Sequence, residues 1–123
     1  MKNDDELRDE KDRVALLQGT LDLLILQTLA PGAHHGQGIA RAILRRSEEA
    51  LLVDHGSLYL ALQRLEDKRW VTAKWGVSDN NRKARFYTLT VKGRAELSLR
   101  TKHWYSLARA IDLILKPKES SGT

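Results

Sequence analysis

Residues 54–90 read DHGSLYLALQRLEDKRWVTAKWGVSDNNRKARFYTLT, and the changes of pattern inside them decide the fold. Asp54 is a good N-cap, because its carboxylate accepts hydrogen bonds from the free amides of a first helical turn. Leu58, Ala61, Leu62 and Leu65 then recur at three- and four-residue spacing. That spacing predicts a helix burying those four, with Ser57, Leu60, Gln63, Arg64 and Asp67 turned away to varying degrees. From Trp70 to Trp75 the composition shifts to β-branched and aromatic residues. Ser78-Asp79-Asn80-Asn81 supplies turn chemistry, and Arg85-Phe86-Tyr87-Thr88-Leu89 is strand-like again, so a β-hairpin follows the helix. Alternation along its second strand puts Arg85 and Tyr87 on one face and Phe86 inward. Thr90 is a second N-cap.

Working outward, Leu17, Leu21, Leu24, Ile25 and Leu29 give helical spacing over 14–30, with Gly19 a point where the helix can break and Pro31-Gly32 its stop. A loop containing His34-His35-Gly36 leads to a short amphipathic helix, with Ile39, Ala40, Ile43 and Leu44 on its apolar face. Leu51-Leu52-Val53 is too short for a helix. Beyond Thr90 a long helix carries Leu97, Trp104, Leu107, Ile111 and Ile114, with sevenfold steps from 97 to 104 to 111 and from 107 to 114. This stripe is longer than one small core can cover, which predicts a dimer interface that the N-terminal helix joins. The organisation expected is a charged arm over 1–13, a compact domain over 14–90, an associating helix over 91–116 and a polar tail over 117–123.

A chain of 123 residues suits one domain, and 41% hydrophobic with 30% charged residues is a globular composition. There is no cysteine, which removes disulfides, thiol nucleophiles and thiolate metal sites and fits a reducing compartment. Neither a membrane span nor a signal peptide is expected: the longest apolar runs are about as short as Leu23-Leu24-Ile25-Leu26, and the start is acidic. No catalytic residue and no cofactor are assigned. Ser57 lacks a nucleophile elbow, and no phosphate-cradling glycine loop or close carboxylate pair stands out. His34, His35, His55 and His103 lack the spacing of a helical zinc site, so no metal is expected. Net charge is +5, unevenly divided: residues 56–94 hold nine basic and three acidic side chains, whereas residues 1–55 hold more acids than bases. A localised basic segment is the footprint of a polyanion site.

Three helices, a hairpin and a last helix form the winged helix-turn-helix arrangement, an α+β fold, mainly α. The basic segment covers the two elements such a fold aims at a duplex. Over residues 14–115 the sequence resembles the PadR family of transcriptional regulators. The stretches LLQGTLDLLILQTL, HGQGIARAI, GSLYLALQRLE and NNRKARFYTLTVKGR stand in that family's order and approximate spacing. The resemblance implies a cytoplasmic, homodimeric bacterial repressor, its last helix used for dimerisation, of the short-tailed subgroup. Leu60 and Gln63 depart from the Pro and His that many members carry.

On that footing double-stranded DNA is the expected partner. In a major groove Gln63 can bond adenine, Arg64 guanine, and Leu60 can meet a thymine methyl. Ser57 and Tyr59 suit phosphates near the helix start, with core packing against the second helix the other reading of Tyr59. Arg64 has a second reading too, an ion pair with Glu66 or Asp67. Arg82, Lys83 and Arg85 are the expected wing contacts. Trp104 matches a position that, in short-tailed relatives, helps line an apolar interface cavity for flat compounds; a Trp on an apolar heptad stripe is more often plain interface packing, and a site for a small planar apolar effector is the alternative reading. Rival functions are a winged-helix protein-interaction module and a non-specific nucleic-acid binder.

Overall fold

A computed structural model describes residues 20–117. The expected arm over 1–13, the start of the leading helix over 14–19 with its Gly19 break, and the tail from 118 onward lie outside the described residues. Helix α1 spans Leu21–Leu29, strand β1 His34–His35, α2 Gly36–Arg46, α3 His55–Asp67, β2 Val71–Val77, β3 Lys83–Leu89 and α4 Val91–Leu115. The three strands form one antiparallel sheet in the order β1-β3-β2.

The spacing that predicted each helix also builds the core. Ile25, Leu26 and Leu29 from α1, Ile39 from α2 and Leu58, Ala61, Leu62 and Leu65 from α3 are essentially inaccessible, and Val71, Tyr87 and Leu89 close the core from the sheet. Polar contacts fix the ends of the elements. Asp54 caps α3 by accepting from the Ser57 amide, and Thr90 caps α4 by accepting from the Gly93 amide, each at 2.9 Å. Helix α3 closes with paired bonds from Arg69 N to Glu66 O and from Trp70 N to Leu65 O, which require a left-handed residue at Arg69 (φ 63°). In the hairpin turn Asn81 takes the left-handed position (φ 59°), a conformation its short polar side chain tolerates.

Two expectations need correction. His34 and His35 are a short strand rather than loop, pairing with Tyr87 and Phe86, so the hairpin has a third strand. Phe86 does not point inward. Val71, Ala73 and Trp75 lie opposite Leu89, Tyr87 and Arg85, and this set faces the helices, leaving Tyr87 buried and Phe86 only half-buried on the other face. There Phe86 stacks on His35 with ring centroids 5.4 Å apart. The helices cover one face of the sheet only, so the face holding Val71 and Leu89 takes the core.

Helix α4 starts against this core and then leaves it. Gly93 is buried where a Cβ would collide with the Trp70 carbonyl, and Leu97 packs on the core of its own chain, although its heptad position had assigned it to an interface. Beyond Lys102 nearly every side chain is exposed, including Trp104, Leu107, Ile111 and Ile114.

Candidate nucleic-acid interface

Helix α3 presents its polar face because Leu58, Ala61, Leu62 and Leu65 commit the opposite face to the core. At its start both Asp54 oxygens are engaged, one by the Ser57 amide and the other by the Ser57 hydroxyl at 2.7 Å. These donors hold the Asp54 carboxyl below its ordinary range. The Ser57 hydroxyl is thus tied to the cap. Tyr59 packs on the second helix and keeps an exposed face. Its ring lies so close over the start of α2 that a Cβ on Gly36 would come within 2.7 Å of the hydroxyl oxygen, yet 44% of the residue is exposed. Leu60, at 67%, projects into open space.

The long polar side chains are each held by a carboxylate. Gln63 Nε2 donates to Asp67 Oδ1 at 3.0 Å. Arg64 is ion-paired, though not with Glu66 or Asp67: its Nη2 donates at 2.9 Å to Asp22 on α1, 42 positions earlier. Glu66 instead accepts from Arg85 Nη2 of β3 at 2.9 Å, which pushes the Arg85 guanidinium's pKa up. Arg85 also lies 5.8 Å over the ring of Tyr87, whose hydroxyl pKa burial pushes up.

Between α3 and the hairpin lies a cleft whose walls include Tyr59 and Gln63 on one side and Arg82, Lys83 and Arg85 on the other. Five residues expected from sequence to contact DNA therefore surround one opening; Ser57, Leu60 and Arg64 stand outside it. Gln37, at the start of α2, and Trp75 of β2 line the same cleft and were missed by the sequence reading. Trp75 is 63% exposed with Lys83 Nζ 5.8 Å above its ring. Alternation carried the signal, since Trp75 pairs with Arg85 on the helix-facing side but lies beyond the end of the core.

On α4, Trp104, Leu107, Ala108, Ile111 and Leu115 line a shallow groove together with Asp112, and Trp104 meets Tyr105 edge-to-face at 5.4 Å. Among the described residues no helix is long and apolar enough to cross a membrane.

Residues 25–99, from α1 through the hairpin into α4, match the family described as "Transcriptional regulator PadR-like family". The chain belongs to this family. An "Uncharacterized protein X" from Lysinibacillus sphaericus is 30% identical over 107 residues, covering 87% of this chain and 98% of that protein. A transcriptional regulator from Clostridium thermocellum has the same fold, with a TM-score of 0.76 at 22% identity over 83% of this chain and 99% of that one. PadR of Bacillus subtilis, solved in complex with operator DNA, matches with a TM-score of 0.58 at 21% identity, over 81% of this chain and 49% of that one. The described elements are accordingly the DNA-binding winged helix of a PadR-type transcription regulator, with β2 and β3 as its wing, followed by a long C-terminal helix.

Proposed function

We propose that this PadR-like regulator represses transcription in the cytoplasm by occupying a pseudo-palindromic operator as a homodimer. Residues 14–90 are then the DNA-binding domain and 91–116 the dimerisation helix, flanked by the arm over 1–13 and the tail over 117–123. The observation carrying the reading is the cleft that gathers Tyr59 and Gln63 of α3 with Arg82, Lys83 and Arg85 of the wing, within the most basic stretch of the chain. Gln63 in the cleft and the exposed Leu60 outside it read base edges, while Tyr59 and the wing cations in the cleft, with Ser57 outside it at the helix start, hold phosphates. Arg64 reads a guanine once it leaves Asp22.

Dimerisation is supported by the exposed stripe of Trp104, Leu107, Ile111 and Ile114, which begins beyond Leu97, itself packed on its own core. A lone α4 would leave these side chains in water, and pairing two copies removes them from it. A two-fold dimer then sets its two α3 helices about 34–36 Å apart, one turn of DNA. The groove beside Trp104 suits a planar apolar effector, which releases the operator only by preferring the non-binding dimer. Sequencing of DNA fragments selected by the purified protein is expected to return an inverted repeat with half-sites about one helical turn apart. Fragments sharing no motif would overturn the operator reading.

A further inference from the structure

The helix-facing side of the hairpin runs out of helices before it runs out of strand. On β2 that side carries Val71, Ala73, Trp75 and Val77 in turn, paired with Leu89, Tyr87, Arg85 and Lys83 of β3. Val71 is buried and Ala73 half-buried, whereas Trp75 and Val77 are 63% and 66% exposed. Packing explains the first two and leaves the last two in water. A single exposed apolar side chain is ordinary on a protein surface. Here, however, the largest side chain of the strand stands in the cleft between α3 and the wing, among the cations of the most basic stretch of the chain, with Lys83 Nζ 5.8 Å above its ring.

We propose, resting on the DNA-binding reading above, that Trp75 is a DNA-contacting residue whose indole packs on the deoxyribose rings of the strand held between α3 and the wing. With α3 in a major groove and the wing alongside it, the part of the duplex that enters the cleft is one sugar–phosphate strand, since that strand is the wall between a major groove and the adjoining minor groove. Its phosphates suit cations, which Arg82, Lys83 and Arg85 supply, and its sugars suit an apolar surface, which Trp75 supplies. The contact takes apolar surface of both indole and sugar out of water. It displaces no counterion, so its contribution is nearly independent of salt, unlike that of the neighbouring cations. Made to sugar, it carries no sequence information and instead fixes how α3 is seated in the groove. Lys83 gives up only a weak attraction to the exposed ring when a phosphate draws it away, and its departure uncovers the ring face.

The test measures binding of the full chain to the duplex enriched by selection and to a shuffled duplex of equal length, across a salt series, with tryptophan emission recorded in the same titrations. Trp75→Ala is expected to weaken both duplexes about tenfold per subunit, within the range for truncating an interface Trp. The log–log salt slope should stay at its wild-type value. Trp75→Phe, which keeps a flat apolar ring, should recover most of the lost affinity. DNA should change the wild-type emission, and Trp75→Phe should remove most of that change, because Trp70 is buried and Trp104 lies on α4 outside the cleft. Wild-type affinity in a Trp75→Ala protein that melts as wild type does overturns the proposal, and so does an undiminished emission change in Trp75→Phe. A loss of affinity accompanied by a slope lower by about one also overturns it, since the indole would then act only by placing Lys83. Equal wild-type affinities for the two duplexes overturn the operator reading instead, while the Trp75 contact is still read, because either duplex offers it a sugar.

Discussion

Replacing Gly93 by Ala should destabilise the protein even though Ala is the better helix former. Gly93 lies in the first turn of α4, and its amide donates to Thr90 Oγ1 at 2.9 Å. A Cβ there would collide with the Trp70 carbonyl and stand 3.2 Å from Leu89 Cδ2. The carbonyl cannot swing aside freely, because the Thr90 amide bonds it at 3.0 Å and the Thr90 hydroxyl shares its proton between the Arg69 carbonyl at 2.7 Å and this one at 3.1 Å. The methyl therefore has to push α4 off the corner where α3 meets β2. Helix propensity favours Ala by about 1 kcal/mol. Overpacking costs about 1–3 kcal/mol, and disturbing the cap about 1 kcal/mol more. The balance is a loss of about 2 kcal/mol, or about 8 °C in melting temperature for a chain of this size. Thermal unfolding of both proteins at one fixed concentration measures it, the fixed concentration being needed because the proposed dimerisation would shift the transition. A variant melting at or above wild type would refute the close approach and leave propensity in control.

Three further outcomes are expected. Arg82→Ala and Lys83→Ala should weaken selected and shuffled DNA alike and lower the salt slope by about one per lost contact, whereas Gln63→Ala should lose about 1–3 kcal/mol only on the selected sequence; filter binding over a salt series distinguishes them. Arg69→Gly should raise stability by about 1 kcal/mol in urea unfolding, because Arg69 occupies the left-handed position that ends α3 and glycine takes it without strain. The Ser57 amide and hydroxyl depress the Asp54 carboxyl, so its contribution is present above the unfolded value and is lost as pH falls through the folded one. Asp54→Asn, itself a good cap, should match wild type near neutrality and flatten the stability loss below about pH 4, as followed by acid unfolding.

The parts of the fold legible in the sequence were those fixed by neighbours in the chain. Asp54 with Leu58, Ala61, Leu62 and Leu65 announced α3, its cap and its buried face, and the Ser78–Asn81 turn announced the wing. What was missed depends on distant partners. Strand β1 has two residues, too few for any period, and exists because β3 offers it an edge. Alternation alone gives two strand faces without saying which is inner; Leu89, on the same face as Tyr87, carried that information. Local spacing suggested Glu66 or Asp67 as the acid for Arg64, while the folded chain gives it Asp22 and gives Glu66 to Arg85. The heptad steps marked the exposed stripe of α4 but could not show that Leu97, at its inner end, packs on its own core.

The central claim is that the face formed by α3 and the wing reads sequence. The ratio of binding constants for the selected duplex and a shuffled duplex, measured for wild type at a single stated salt concentration, tests it most directly. A ratio of about 1,000 or more is predicted, the lower bound for specific regulators. A ratio near one, with both affinities falling together as salt rises, would contradict it and leave a basic surface that holds DNA without reading it.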